Sequence, residues 1–102
     1  MHLSKFHPLP LKMPSYSLQH LHALLRHTLR ISTTDGRVFI GTFAGTDQPL
    51  NVLLANAEEY RIGPDESPNG RFVGQILVPW RLVEKVEAQG EAGDFAQGVG
   101  VL

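Results

Sequence analysis

The stretch Asp47-Gln48-Pro49-Leu50-Asn51 sets a carboxylate and a carboxamide four residues apart around a ring. That is the outline of a loop that grips a single-stranded base, with the ring stacked on the base face and the amide bonded to its edge. Here the ring is Pro49, which has no π face. A base stacked on an aromatic side chain gains about 1–3 kcal/mol, and a guanidinium adds cation–π attraction; proline supplies neither. Asn51 alone contributes little net, because an amide in water only exchanges partners. Asp47 and Asn51 also suit a hairpin loop with no ligand, since Asp caps turns and Asn tolerates left-handed backbone.

The remaining candidates for chemistry are weaker. His20 and His22 are spaced so that they fall on different faces of a helix, and there is no cysteine or nearby acid pair to complete a metal clamp. His2 and His7 lie near the start of the chain and His27 beyond the pair. Glu58 and Glu59 point to opposite faces of a strand, which removes them as an acid–base pair. Serine, histidine and aspartate are all present, but no nucleophile elbow is. "GTFAGT" lacks the Gly-Lys-Ser/Thr of a phosphate loop. The expectation is a chain with no catalytic residue, no cofactor of its own and no metal.

Composition narrows the class further. A chain of 102 residues is one domain's worth, and 42% hydrophobic with 19% charged residues is a globular balance. Nine basic and ten acidic residues give a net charge of −1. A general polyanion binder needs a basic surplus to release counterions, so broad nucleic-acid affinity is disfavoured. The absence of cysteine fits a reducing compartment. No apolar stretch approaches the ~18 residues of a membrane span. Pro8, Pro10 and Pro14 interrupt the N-terminal segment, which makes a poor secretory signal. The expected protein is soluble and cytoplasmic.

These residues need elements to hold them. Residues 1–14 read as an extended arm, because three prolines disfavour helix; its apolar Phe6 and Leu9 are free to lie along a partner. Leu18, Leu21, Leu24 and Leu25 recur at helical spacing, predicting one amphipathic helix over about 16–26. Five strands follow. "TLRISTT" alternates, Asp35-Gly36 turns, and "RVFIGTFAG" carries Gly41 at its middle, where bulk would clash at a sharp bend. A third strand covers about 50–58, a fourth "RFVGQILVP" with Gly74 inside it, and a fifth "RLVEKVEA". Asn69-Gly70 is expected to close the hairpin before the fourth. The Gly-rich tail from residue 89 to 102 is expected to be mobile. One helix and bent antiparallel strands fit a partly open barrel.

Residues 18–87 resemble the Sm/LSm family. The first motif is carried by Gly36, Arg37, Phe39, Gly41, Phe43, Asp47, Asn51 and Glu58-Glu59; "GRFVGQILVPWRLVEKVE" resembles the second. The resemblance implies a mainly β, Sm-like fold, with an N-terminal α-helix on a strongly bent five-stranded antiparallel sheet spanning residues 15–88. In family members the fourth strand of one copy pairs with the fifth of the next to close a ring that binds single-stranded RNA. This chain departs at the base-binding positions. The stacking residue is Pro49, and the family's Arg-Gly pair falls on Pro79-Trp80, so both walls of the base slot are gone. Trp80 is expected to pack against the barrel end or a partner.

That loss, with Thr34-Asp35-Gly36-Arg37, Gly41-Thr42-Phe43, Thr46-Asp47 and Val78-Pro79, is similar to one branch of the family, the small auxiliary subunits of the N-terminal acetyltransferase C (NatC) complex. The resemblance implies a non-catalytic scaffold. Its partners would be a large auxiliary subunit and a catalytic subunit that binds acetyl-CoA, acting on N-termini that begin with Met and a bulky apolar residue. The alternative is an RNA-binding ring member in RNA processing or decay. Surfaces expected to meet partners are the arm (Phe6, Leu9), the helix face (Leu18, Leu21, Leu25) and two open strand edges. Phe72, Val73 and Ile76 mark one edge, and Leu82 and Val83 the other, with Trp80 between them.

Overall fold

The computed structural model describes residues 6–9, 21–47, 50–61 and 67–90. They form one antiparallel sheet of six strands: β1 (Phe6–Pro8), β2 (Thr28–Thr33), β3 (Arg37–Thr46), β4 (Asn51–Arg61), β5 (Ser67–Pro79) and β6 (Val83–Gln89). A 3-10 turn, Trp80–Leu82, joins β5 to β6. The spatial order is β1-β6-β2-β3-β4-β5.

In β2 the alternation read from sequence is the alternation of burial. Leu29, Ile31 and Thr33 face inward, and their neighbours are half-exposed. The turn after β2 is held locally. The Gly36 amide donates to the Thr33 carbonyl at 3.1 Å, Gly36 takes φ 85°, and the Thr33 hydroxyl donates to the Asp35 carboxylate. Glycine meets that φ without a Cβ penalty.

The sheet bends along a line that crosses β3, β4 and β5. On β3, a Cβ added to Gly41 would lie 2.9 Å from the Ala57 Cβ and 3.0 Å from the Ala55 carbonyl oxygen. On β4, the register shifts between Leu54 and Ala57, and Asn56 takes φ 52°. That extra residue is a bulge: buried positions 52 and 54 give way to 57 and 59, so inward-facing side chains stay inward past the bend. On β5, Gly74 pairs with Ala57 at φ 77°. Three small or left-handed positions thus stand side by side.

Phe39, Phe43, Leu29, Ile31, Val52, Leu54, Val78 and Val86 fill the interior of the bend. Leu21 and Leu24 close it from the segment before β2. Each such leucine, fully removed from water, contributes about 1.5–3 kcal/mol.

Several expectations are corrected. The predicted helix over 16–26 is not among the described elements. Its residues 16–20 lie outside the described residues, and only Leu21 and His22 keep helical backbone. Successive turns follow, and Arg26 takes φ 74°, its amide donating to the Phe43 carbonyl at 2.9 Å. From Ala23 to Arg26 the need to bring Leu24 over the core and then enter β2 outweighs helical spacing. The sheet has six strands, not five, because Phe6–Pro8 of the arm pairs with β6, Phe6 opposite Gln89 and His7 opposite Ala88. Asn69-Gly70 does not close a hairpin. It lies inside β5, where Gly70 at φ 58° leaves room for the Tyr60 ring.

Candidate functional site

The loop after β3 and the turn after β5 are 30 residues apart in sequence and meet in space. Asn51 pairs with Pro79, and the Trp80 amide donates to the Leu50 carbonyl at 3.0 Å. The Asp47 carboxylate closes the loop from inside. One oxygen accepts the Asn51 amide N–H at 2.8 Å, and the other accepts the Asn51 side-chain Nδ2 at 3.0 Å. Leu50 sits at φ 62°, and its amide donates to the Asp47 carbonyl. The acid and the amide therefore serve each other and the turn.

Of the residues read as a base slot, the structure gathers Asp47, Asn51, Pro79 and Trp80; Pro49 lies outside the described residues. Pro79 and Trp80 are half-buried, and Trp80 packs against the core. Beside the loop opens a shallow cleft of about 430 Å³ lined by Asp47, Leu53, Gln75, Ile76 and Leu77. Among the described residues its lining is apolar apart from one amide and one carboxylate, with no aromatic ring or cation. Such a surface suits an aliphatic side chain and repels a phosphate. Arg81, exposed one residue past Trp80, is a cation that the reading of the second motif did not weigh.

The proposed partner surfaces divide. Phe6 and Leu9 lie on the chain's own sheet: the Arg30 guanidinium stands 4.5 Å from the Phe6 ring centre, and the Leu9 amide donates to the Val86 carbonyl at 2.9 Å. Leu21 is buried in the core, while Leu25 is exposed; Leu18 lies outside the described residues. Val73, Ile76 and Val83 are partly buried against the core, and Leu82 is half-buried. Phe72 is 68% exposed and Leu77 50%. They stand on β5, an outer strand of the sheet. Of the two strand edges expected to be open, the one on β6 is covered by β1. Leu77 was missed by the sequence reading. The signal was available, since it alternates with the inward Val78 and Ile76.

Two buried carboxylates tie strands together outside this site. Glu59 accepts from Arg71 Nε at 2.8 Å and Arg37 Nη1 at 3.3 Å, with Arg61 at 3.9 Å. The hydrogen bond from Arg71 holds its carboxyl below the usual range, against burial, which pushes the other way; Arg37 adds to the lowering. Glu87 accepts both Nε and Nη2 of Arg30, at 2.8 and 2.9 Å, and is lowered for the same reason. Glu58, on the opposite face from Glu59, accepts the Tyr60 hydroxyl at 3.0 Å.

A bent antiparallel sheet with an Asp-to-Asn loop set against the last β5 residues defines an Sm-like protein. The LSM domain family matches residues 19–79, and the chain belongs to that family. Among curated relatives it is 40% identical over 76 residues to N-alpha-acetyltransferase 38, NatC auxiliary subunit, of Mus musculus. That alignment covers 72% of this chain and 61% of the relative. It is 35% identical over 82 residues to the protein of the same name from Danio rerio, covering 76% and 75%. The chain thus spans about 61% of the mouse relative's length. Among solved structures, a chain in the crystal structure of the NatC complex bound to CoA matches with a TM-score of 0.57 and 26% identity, over 83% of this chain and 97% of that one.

Proposed function

We propose that this chain is a non-catalytic auxiliary subunit of a NatC-type N-terminal acetyltransferase. It would hold a large auxiliary subunit and a catalytic subunit together, and acetyl-CoA would be bound by the catalytic partner. The assembly's substrates are N-termini beginning with Met and a bulky apolar residue, and its place is the cytoplasm. The observation that carries this reading is the likeness to NatC auxiliary subunits at 40% and 35% identity. It comes on a fold whose base slot has Pro79 and Trp80 as walls and an Asp47 carboxylate spent on Asn51. No helix among the described residues is long and apolar enough to cross a membrane.

The test is affinity purification of the tagged chain from its own cells, with mass spectrometry of what comes with it. Co-elution of an acetyltransferase catalytic subunit and a large companion is expected. Depleting the chain should then reduce acetylation of Met-Leu N-termini. Tight, salt-sensitive binding of oligo-uridine by the isolated chain, lost on Asn51→Ala, would overturn the reading in favour of an RNA-binding ring member, the one role the intact Asp47–Asn51 pair favours.

A further inference from the structure

A sheet with two unlike open edges adds copies head to tail: the first edge of one molecule takes the last edge of the next, and the chain of copies ends only by closing a ring or growing a filament. Here the two long strands at the ends of the bent sheet are β5, of 13 residues, and β6, of seven. Only β5 is open. β6 already pairs on both sides, with β2 along one flank and β1 along the other.

The covering strand is built to stop further pairing. Among the described residues it is three residues long, and it ends in Pro8, which has no amide hydrogen to offer a neighbouring strand. It is also fastened at several points. Phe6 lies against the Arg30 guanidinium, which is itself held by both oxygens of buried Glu87. His7 Nε2 stands 2.8 Å from the Gly90 carbonyl oxygen, and the Leu9 amide continues the pairing onto Val86. Short edge strands and proline are the devices by which sheets block edge-to-edge association.

We infer that β1 is a built-in cap that closes the β6 edge against a second copy of this chain. With the cap seated, self-association can use only β5 against β5. That pairing is isologous and ends at two copies. With the cap removed, β5 and β6 are complementary edges and addition continues. This holds whether or not the chain serves an acetyltransferase, and its test needs no partner.

The test compares the full chain with a chain lacking residues 1–9, and with full-length Phe6→Lys, which sets a cation against Arg30. Mass is measured by native mass spectrometry and light scattering over a wide concentration range, with circular dichroism and hydrogen exchange across β6 as controls. The full chain is expected at one or two copies. The other two are expected to pass beyond two copies while keeping their β-sheet signal. The inference is overturned if the full chain itself forms larger assemblies, or if folded variants whose β6 amides exchange faster stay at one or two copies. Loss of folding in both variants also overturns it, because β1 would then be a structural strand and not a cap.

Discussion

Glu59 shows how much one inward carboxylate can organise. It stands on β4, yet its oxygens are shared by Arg37 of β3 and Arg71 of β5. Its carboxyl and that of Glu87 lie below the ordinary value of 4.5 when folded. The unfolded chain therefore takes up protons first as the pH falls. The stability these groups contribute is whole above the unfolded value and is lost as the pH drops through the folded ones. Denaturant titrations below about pH 5 are expected to show a falling limb, and Glu59→Gln should make that limb shallower while lowering stability at neutral pH. Asp47 makes a smaller, separable case. Asp47→Ala frees both Asn51 donors, which water can reach, so a loss of about 1 kcal/mol in a urea titration is expected, with an unchanged slope. A loss of oligo-uridine affinity on the same change would mean the loop had been holding a base.

Among the elements, the bend is the test of the packing. Gly41→Val forces a Cβ bearing two methyls into a space that Ala57 and the Ala55 carbonyl already occupy. Overpacking of this kind costs about 1–3 kcal/mol, read as a lower urea midpoint; an unchanged midpoint would mean the strands are not in contact there. Gly41 and the Asp35-Gly36 turn were legible in the sequence, because both requirements are local: one residue without a side chain, one pair that accepts left-handed backbone. The bulge at Asn56 was not. Its one-residue shift is set by the partner strands on either side, and "LLANAEEY" alternates acceptably in either register. The start of β5 was hidden by Pro68-Asn69-Gly70, which reads as a turn; an outermost strand tolerates proline because one of its flanks needs no donor. β1 was hidden for the opposite reason, since three residues carry no measurable period. The end of the helical backbone after His22 was not legible, because leucines at helical spacing equally serve successive turns over a core. At the candidate site, Asp47, Asn51, Pro79 and Trp80 were readable through family motifs, whereas the exposure of Leu77 needed the sheet order.

Taken as a whole, the molecule has a single interior shared by both arms of the bend, and Phe43 lies at its centre with no exposed surface. Phe43→Ala is expected to cost about 3–5 kcal/mol. Against the about 5–15 kcal/mol typical of a domain, that leaves a marginal protein whose melting should remain one cooperative step. Two separated transitions would show that the halves fold apart. The pairing of residue 6 with residue 89 has a further consequence, one in time. A ribosome delivers the chain from its N-terminus at about 5–20 residues per second, so hairpins among β2, β3, β4 and β5 can form in chain order, ahead of β6. β1, made before every other described strand, has no seat until β6 has been made. Of the described strands, the one made earliest is the one that docks latest, and every newborn molecule passes through an interval in which β6 has just emerged and is still bare along one flank.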